Sequence, residues 1–296
     1  MNSVLEQHPG FLIYDTVRLF RRCFGARIQD LGLSEAQWRA LGTVNKFAGI
    51  SQTQLAEQLD IGKAPLGALI DRLESAELLQ RTADPDDRRI KRLHVTNGAE
   101  PITTAMRERY EQLETEFLSG LSGRAQSALP RHLQQIYRNL SGNDAPALVL
   151  LHLLTGTARL FARNFDIQLK ELGFTRAQWA VFMAISQGQG IQQNTLARAL
   201  HMQKAPLGVL LDELEKSDWI ERRPHPTDRR ARQVFLTAHS SAQKQALTDS
   251  YQTMHEKSLL GVSVKHRQQL GECLQTIRNN LQSIAAAAEH SQREMA

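Results

Sequence analysis

The spacing of apolar positions along the chain predicts a mainly helical protein. Leu, Ile, Val and Phe recur at helical intervals over residues 11–31, on more than one side of the helix, which is therefore expected to be buried. Gly32 is expected to end this helix. Ser34 followed three residues later by Gln37 is a capping-box pattern, and it predicts a second helix that runs to about Lys46.

The next segment predicts a helix-turn-helix followed by a β-hairpin. Ser51 caps a short helix with the sequence SQTQLAEQL, DIG forms a tight turn, and a further helix covers residues 63–75. Pro65 lies in the first turn of that helix, where its missing N–H costs no hydrogen bond. Residues 78–83 and 90–95 flank the polar loop ADPDDRR, and the second of them alternates as a half-buried strand does.

Two long amphipathic helices, 100–120 and 124–140, are expected after the hairpin, and the whole pattern then occurs again. KAPLGALIDRL at residues 63–73 returns as KAPLGVLLDEL at residues 204–214, with eight of eleven positions identical and an offset of 141 residues. The closing helices of the second copy are expected at 241–261 and 265–286. A period this long is a whole domain, because solenoid repeats are about 20–50 residues long.

The repeat predicts the domain organisation. We expect one domain at residues 1–140, a short polar linker at 141–147 with the breakers Gly142 and Pro146, and a second domain at 148–296. We call the two copies the first repeat and the second repeat. Tandem copies of unchanged length indicate two lobes related by approximate two-fold symmetry, which suits a reader of palindromic DNA.

Composition points to the cytoplasm and to a polyanionic partner. Of the 296 residues 41% are apolar and 23% charged, no apolar run approaches the ~20 residues of a membrane span, and the N-terminus lacks a secretion signal. Cys23 and Cys273 are too few for a secreted disulfide framework. Cys23 is interpreted either as a redox sensor or as a buried small hydrophobe. The whole net charge of +5 arises after residue 147, and a basic balance favours a polyanion.

Residue types at fixed places in both repeats indicate DNA binding. Lys63 and Lys204 open the second helix of each helix-turn-helix, where backbone N–H groups also meet phosphates. Gly67 and Gly208 keep the outer face of that helix small, and each hairpin tip carries arginines, which favour narrow minor grooves. One such pattern is often only structural, and an Asp-Arg-Arg loop is usually a solvated turn. Here the turn, the second helix and the arginine-bearing hairpin, which we call the wing, recur together at the offset of 141 residues. This recurrence favours DNA binding.

Both repeats resemble the MarR family of bacterial transcription regulators, named for multiple antibiotic resistance. The resemblance rests on GKAPLGALIDRLESAELLQR and ADPDDRRIKRLHVT in the first repeat, and on QKAPLGVLLDELEKSDWIERR and HPTDRRARQVFLT in the second. The wing signature is Asp-x-Arg before a strand that ends in Leu-Thr. It is complete at Leu236 and Thr237, whereas the first repeat has Val95 and Thr96. Family members are usually single-domain homodimers, so the fusion is a departure.

The resemblance implies a mainly α fold class: two winged helix-turn-helix domains, each of about six helices plus a small β-hairpin wing. Because the first and last helices form the dimer interface in this family, we expect an intramolecular pseudo-two-fold dimer that packs through residues 11–31, 124–140, 148–172 and 265–286; further self-association stays open. The expected DNA-binding residues are Ser51, Gln52, Thr53, Lys63, Ala64, Pro65, Gly67, Arg72, Asp87, Arg88 and Arg89, with Gln192, Gln193, Asn194, Lys204, Ala205, Pro206, Gly208, Asp228, Arg229 and Arg230 in the second repeat.

Several details of these residues shape the expected function. Asp87 and Asp228 are expected to hold their loops by pairing with an arginine. The second helix of each helix-turn-helix, which we call the recognition helix, presents small apolar residues. Its sequence preference is therefore expected to depend on contacts with thymine methyl groups and on DNA shape. The second wing has five arginines, whereas the first carries three aspartates, so we expect the second repeat to contribute more phosphate affinity and the operator to be an imperfect palindrome.

The function predicted is a sequence-specific DNA-binding transcriptional regulator, a repressor released by a small effector. The resemblance implies phenolic or aromatic carboxylate ligands, with Trp38 and Trp179 as candidate binding residues and Arg18 and Arg159 as carboxylate partners. The alternative is that both tryptophans anchor the core and both arginines form interface salt bridges. A different function would be a protein-binding antirepressor with weak DNA affinity. No phosphate loop, metal-ligand spacing or nucleophile–base pair recurs, so we expect no enzyme, metal or cofactor.

Overall fold

The computed structural model describes residues 9–145, 149–186, 188, 190–200, 202–227 and 232–294. The first repeat contributes six helices and three strands within these ranges: α1 (Pro9–Arg27), α2 (Glu35–Lys46), β1 (Ile50–Ser51), α3 (Gln52–Leu59), α4 (Lys63–Ser75), β2 (Leu79–Ala83), β3 (Lys91–Val95), α5 (Glu100–Phe117) and α6 (Gly123–Ser141). The second repeat follows the same order: α7 (Leu150–Glu171), α8 (Arg176–Ser186), β4 (Ile191–Gln192), α9 (Gln193–Ala199), α10 (Lys204–Lys216), β5 (Ile220–Pro224), β6 (Arg232–Leu236), α11 (Ala238–Ser258) and α12 (Val264–Glu294).

The fold class is confirmed as mainly helical with two winged helix-turn-helix regions. The capping box predicted at Ser34 and Gln37 is present, and Ser51, predicted only as a cap, forms a second box with Gln54. In each box the serine hydroxyl accepts from the glutamine amide and the glutamine side chain returns a bond. The helix predicted over 11–31 ends earlier, at Arg27, before a short 3₁₀ turn. Among the helices so described, none has the length and apolar content to cross a bilayer.

Each wing is a three-stranded antiparallel sheet rather than the predicted two-stranded hairpin. The strand orders are β1-β3-β2 and β4-β6-β5, and Ile50 pairs with Leu93 as Ile191 pairs with Val234. The added strand comes directly before the first helix of the helix-turn-helix. It therefore attaches the wing to that motif through backbone pairing.

The described residues form two compact units that do not coincide with the repeats. The first-repeat unit contains residues 9–134, 145, 149–159 and 263–294. The second-repeat unit contains residues 135–144 together with the described part of 160–262. Each unit therefore combines the winged helix of one repeat with a helical segment that the sequence assigns to the other.

In the first-repeat unit, α12 packs along α1, and this is the most extensive contact between two helices there. Leu274, Ile277 and Leu281 of α12 are fully buried, and burying a leucine or isoleucine stabilises the fold by about 1.5–3 kcal/mol. The Arg278 Nε donates to Asp15 Oδ2 at 2.6 Å. The last helix of the chain is thus part of the core around the first helix.

Two asparagines, one in each unit, form hydrogen bonds between a helix of one repeat and the end of a helix of the other repeat. The Asn280 side-chain amide on α12 donates to the carbonyls of Phe117 at 3.1 Å and Ser119 at 2.9 Å, where α5 ends. In the second-repeat unit Asn139 donates to the carbonyls of Ser258 at 2.8 Å and Leu260 at 2.7 Å, where α11 ends. Carbonyls at a helix C-terminus have no partner inside the helix, so both asparagines satisfy groups that would otherwise be unpaired.

Candidate nucleic-acid interface

The outer face of α4 is small and exposed. Leu66, Leu69, Ile70 and Leu73 bury one side of the helix. Lys63, Ala64, Pro65 and Ala68 are exposed on the other, and Gly67 is half-buried beside them. A Cβ added at Gly67 would meet nothing within 4 Å, so glycine here leaves space on the outer surface.

The outer face of α10 repeats this arrangement with one larger side chain. Lys204, Ala205 and Pro206 are exposed, and Gly208 has open space around it. Val209 is 57% exposed at the position that Ala68 occupies in α4. An isopropyl group held outward on a recognition helix is suited to contact with a thymine methyl group.

The helices before the recognition helices present polar residues to the same region. Gln52 and Thr53 begin α3, and Ser51 uses its hydroxyl to cap that helix. In the second repeat Gln193 is half-buried and Asn194 exposed at the start of α9. Gln192 caps α9 with its backbone, without a side-chain hydrogen bond.

The wing of the first repeat is organised by Asp84. The Asp84 Oδ1 accepts from the backbone amides of Asp86 at 2.9 Å and Asp87 at 3.0 Å, and Oδ2 accepts from Arg92. These amide bonds, and then the Arg92 side chain, hold the pKa of Asp84 below its usual range. The Arg92 Nη1 also donates to the Gly49 carbonyl at 3.1 Å, which links the wing to the segment before α3.

The role expected for Asp87 needs a correction. Its Oδ1 accepts from the backbone amide of Arg89 at 2.9 Å, a local turn bond. The pairing with an arginine side chain belongs to Asp84, because Asp84 is only 5% exposed and faces Arg92 across the hairpin. Arg88 and Arg89 are exposed at the tip.

The wing of the second repeat is built differently. His225 occupies the position of Asp84, and its Nδ1 accepts from the Thr227 amide at 3.3 Å. Gln233 replaces Arg92 and donates to the Gly190 carbonyl at 2.9 Å. The predicted contact residues Asp228, Arg229 and Arg230 lie outside the described residues.

An arginine clamp holds each wing to its recognition helix, and sequence reasoning missed it. Arg81 of β2 pairs with Asp71 of α4 at 2.7 Å and with Glu74, which also accepts from the Arg81 amide at 2.8 Å. Arg222 of β5 pairs with Asp212 at 2.7 Å and with Glu215 in the same way. Hydrogen bonds from Arg222 lower the pKa of Glu215.

The signal for this clamp was present in the repeat, because all three positions recur at the 141-residue offset. When oppositely charged side chains recur at the same positions of both copies, an ion pair common to both copies is indicated. The clamp fixes the position of each wing relative to the recognition helix of the same repeat. It also neutralises the carboxylates Asp71 and Asp212 on the exposed side of each helix.

The two recognition helices differ most at Arg72 and Glu213. Arg72 is exposed on α4, and its Nε donates to the Ala68 carbonyl at 3.1 Å. Glu213 takes the equivalent position on α10 and accepts from Gln178 at 3.0 Å. A cation is therefore presented by the first recognition helix at the place where the second presents an anion.

The candidate effector residues fall in aromatic cores. Trp38 is 7% exposed and meets Phe24 edge to face at 5.0 Å. Trp179 is half-buried, edge-on to Phe165 at 4.8 Å and stacked with Tyr251 at 5.3 Å. Both indole Nε1 atoms are buried without a hydrogen-bond partner among the described residues. Burial of a polar N–H without a partner is costly, so these are sites where a ligand acceptor would be stabilising.

The two arginines expected as carboxylate partners are placed less favourably for binding a ligand beside the tryptophans. Arg18 is exposed on α1 and pairs with Asp15 of the same helix at 2.7 Å, so this pair is a salt bridge within α1 rather than the interface salt bridge of the alternative. Arg159 has a buried Nε without a partner among the described residues, and it belongs to the first-repeat unit whereas Trp179 belongs to the second-repeat unit. In the described part of the chain no group of three or more His, Cys, Asp or Glu is placed to hold a metal.

One known protein family matches each of the two repeats. The MarR family model matches the chain twice, over residues 31–90 and 172–231, and both ends of the second match lie 141 residues beyond those of the first. Each match spans the helix-turn-helix and most of the wing.

Several solved structures are similar to part of the chain. The regulator SlyA is 21% identical, with a TM-score of 0.40 over 45% of this chain and 92% of its own. A MarR mutant from E. coli in complex with operator DNA is 26% identical, with a TM-score of 0.36 over 38% and 82%. Reduced AbfR bound to DNA is 27% identical, with a TM-score of 0.31 over 32% and 72%.

Proposed function

We propose that the chain, which the MarR family model matches over residues 31–90 and 172–231, is a sequence-specific DNA-binding transcriptional regulator with two MarR-like domains in tandem. The observation that carries the proposal is the pair of exposed recognition helices. Each opens with a lysine, keeps a small outer face and is clamped by arginine to its own wing. A small face lets a helix approach the base edges of a major groove, while the wing reaches the neighbouring minor groove.

We propose that the two repeats, 1–140 and 148–296, act as an intramolecular pseudo-dimer. The exchange of helical segments supports this: Asn280 holds the end of α5 and Asn139 holds the end of α11, at equivalent positions of the two copies. Such reciprocal contacts are typical of a two-fold interface, in which the same patch is used twice. One chain would then read both halves of an operator, with half-site centres about 10 bp apart.

We propose further that the protein represses and that an aromatic carboxylate releases it. The buried indole N–H groups of Trp38 and Trp179 support an acceptor-bearing ligand, because a ligand that pairs with them favours the conformation in which they are reachable. An arginine such as Arg159 would pair with the carboxylate. The antirepressor alternative rests on the apolar recognition faces, which offer few hydrogen bonds to bases. Neither role requires an enzyme activity or a cofactor.

The test of DNA binding is selection of duplexes from a random-sequence library by the purified full chain. A footprint on the selected DNA and on the DNA that flanks its own gene follows at one stated salt concentration. We expect protection of an imperfect palindrome, and loss of that protection when Lys63 and Lys204 are both replaced by Glu. A folded protein that enriches no sequence and protects no DNA at low salt would contradict the proposal and favour the antirepressor.

A further inference from the structure

A depression lies between the two helices of the helix-turn-helix in the second repeat. It has a volume of about 630 Å³, is open to solvent, and is lined by Asn194, Ala197, Arg198, Met202, Gln203 and Lys204. The charged lining residues in the described part of the chain are Arg198 of α9 and Lys204 of α10, both exposed, so each helix contributes one positive charge. Asn194 and Arg198 are four residues apart on α9 and therefore share one helix face.

The equivalent position in the first repeat has the opposite charge. Glu57 of α3 stands where α9 has Arg198, while Lys63 and Lys204 are the same in both copies. The turn differs as well, since Gly62 replaces Gln203. A basic pair in one repeat thus corresponds to a mixed pair in the other, although the recognition helices beside them are nearly identical.

From this geometry we infer that the depression binds a phosphate of the DNA backbone through Arg198 and Lys204, and that the first repeat lacks this contact because of Glu57. The inference rests on the DNA binding proposed above and adds a contact that the repeat pattern did not predict. The guanidinium offers two parallel donors to phosphate oxygens and the ammonium a compact charge. A phosphate contact adds affinity but carries no sequence information.

Arg198 is suited to this contact because little holds its side chain elsewhere. Its described hydrogen bond joins Nη2 to Thr195 Oγ1 at 3.4 Å, which is long for a hydrogen bond. Arg222, by comparison, is engaged by Asp212 and Glu215. Arg198 therefore keeps its donors for a ligand, whereas Arg222 serves the internal clamp.

The experiment measures binding of the full chain to a labelled random-sequence duplex of about 30 bp by fluorescence anisotropy, between about 50 and about 200 mM salt. Arg198→Gln should lower the steepness of log affinity against log salt by about 1 and weaken binding about three- to tenfold at the upper salt. Glu57→Arg should raise the steepness by about 1, because it creates a second basic pair in the first repeat. Far-ultraviolet circular dichroism checks that both variants fold.

Arg107→Gln is the matched control, since Arg107 is exposed on α5 and removal of its charge leaves the depression intact. A steepness unchanged in Arg198→Gln would overturn the inference, as would equal changes in Arg198→Gln and Arg107→Gln, because then only total charge matters. A wild-type chain that binds no duplex at about 50 mM salt would overturn DNA binding itself. The two failures are therefore distinguishable.

Discussion

At the scale of single residues, His152 is a half-buried histidine that the second repeat contributes to the first-repeat unit. It lies edge-on to Phe47 with ring centroids 5.7 Å apart, and its Nδ1 has no hydrogen-bond partner among the described residues. Burial, together with the nearby Lys46 charge, lowers its pKa from 6.5. Its counterpart at the repeat offset is Phe11, so the imidazole occurs in one copy alone.

His152→Phe should make the stability of the protein less dependent on pH. A histidine whose pKa is lowered by folding binds its proton more readily when unfolded, so the contribution of His152 to stability is fully present above pH 6.5 and is lost as pH decreases below it. The variant keeps the aromatic contact with Phe47 and has no proton to bind. The measurement is urea unfolding at about pH 7.5 and about pH 5.5.

The wild type, unfolded at the same two pH values, serves as the comparison. If His152→Phe loses as much free energy of unfolding between the two pH values as the wild type does, burial of His152 has no part in the pH dependence.

Contacts close in sequence were the ones that sequence reasoning found. The pairs Ser34 with Gln37 and Ser51 with Gln54 are three residues apart and have a known local geometry. The Asp84–Arg92 pair spans a hairpin, and its position was assigned to the wrong aspartate because three aspartates stand close together in that loop. The contact between Phe47 and His152 depends on packing of distant segments, which no local pattern predicts.

At the scale of elements, the ends of α5 and α11 depend on helices from the opposite repeat. Asn280→Ala and Asn139→Ala should each lower the free energy of unfolding by about 1–3 kcal/mol, because each removes the donor from one part-buried carbonyl and from one exposed carbonyl. The two losses should be similar, since the contacts are equivalent. Denaturant unfolding of the full chain measures them.

Asn279→Ala is the matched control for these variants. Asn279 is exposed on α12 and accepts from Gln275 at 2.8 Å within the same helix, so its replacement should change stability by less than about 0.5 kcal/mol. Losses in Asn280→Ala no larger than those in Asn279→Ala would show that the end of α5 does not depend on α12.

The elements that differed from prediction have simple physical reasons. The strands β1 and β4 contain two residues each, too few to show alternation, and they form because β3 and β6 offer a free edge beside them. The helix α12 continues to Glu294, beyond the predicted end at 286, through a run of alanines. Alanine has the highest helix propensity, so the run continues the helix where no apolar pattern requires it.

At the scale of the whole molecule, the repeat predicted two equivalent DNA-binding domains, and the resemblance implied packing through residues 11–31, 124–140, 148–172 and 265–286. The contact of α1 with α12 joins two of these ranges. Identical spacing in the two copies shows that the copies share a fold, while it carries no information on which copy each terminal helix packs against. The differences between copies are equally informative. Residues 51–95 contain seven basic and eight acidic side chains, whereas residues 192–236 contain eight basic and six acidic.

This charge difference predicts unequal contributions to DNA binding by the two wings. Replacing Arg229 and Arg230 by Ala should cost more affinity for the selected operator than replacing Arg88 and Arg89. In the first wing Asp84, Asp86 and Asp87 reduce the positive potential around the arginines, whereas His225 and Thr227 replace two of these aspartates in the second. The measurement is the dissociation constant of each double variant at one salt concentration near 100 mM.

Each double variant removes two positive charges from the chain, so each variant is the control for the other. The two half-sites of the operator would then be bound with unequal strength. An operator built from two copies of the more tightly bound half-site should therefore bind the protein more tightly than the selected operator with its two different half-sites. Equal losses in the two double variants would contradict the unequal wings. In that case the imperfect symmetry of the operator would have to come from the recognition helices, where Val209 replaces Ala68 and Glu213 replaces Arg72.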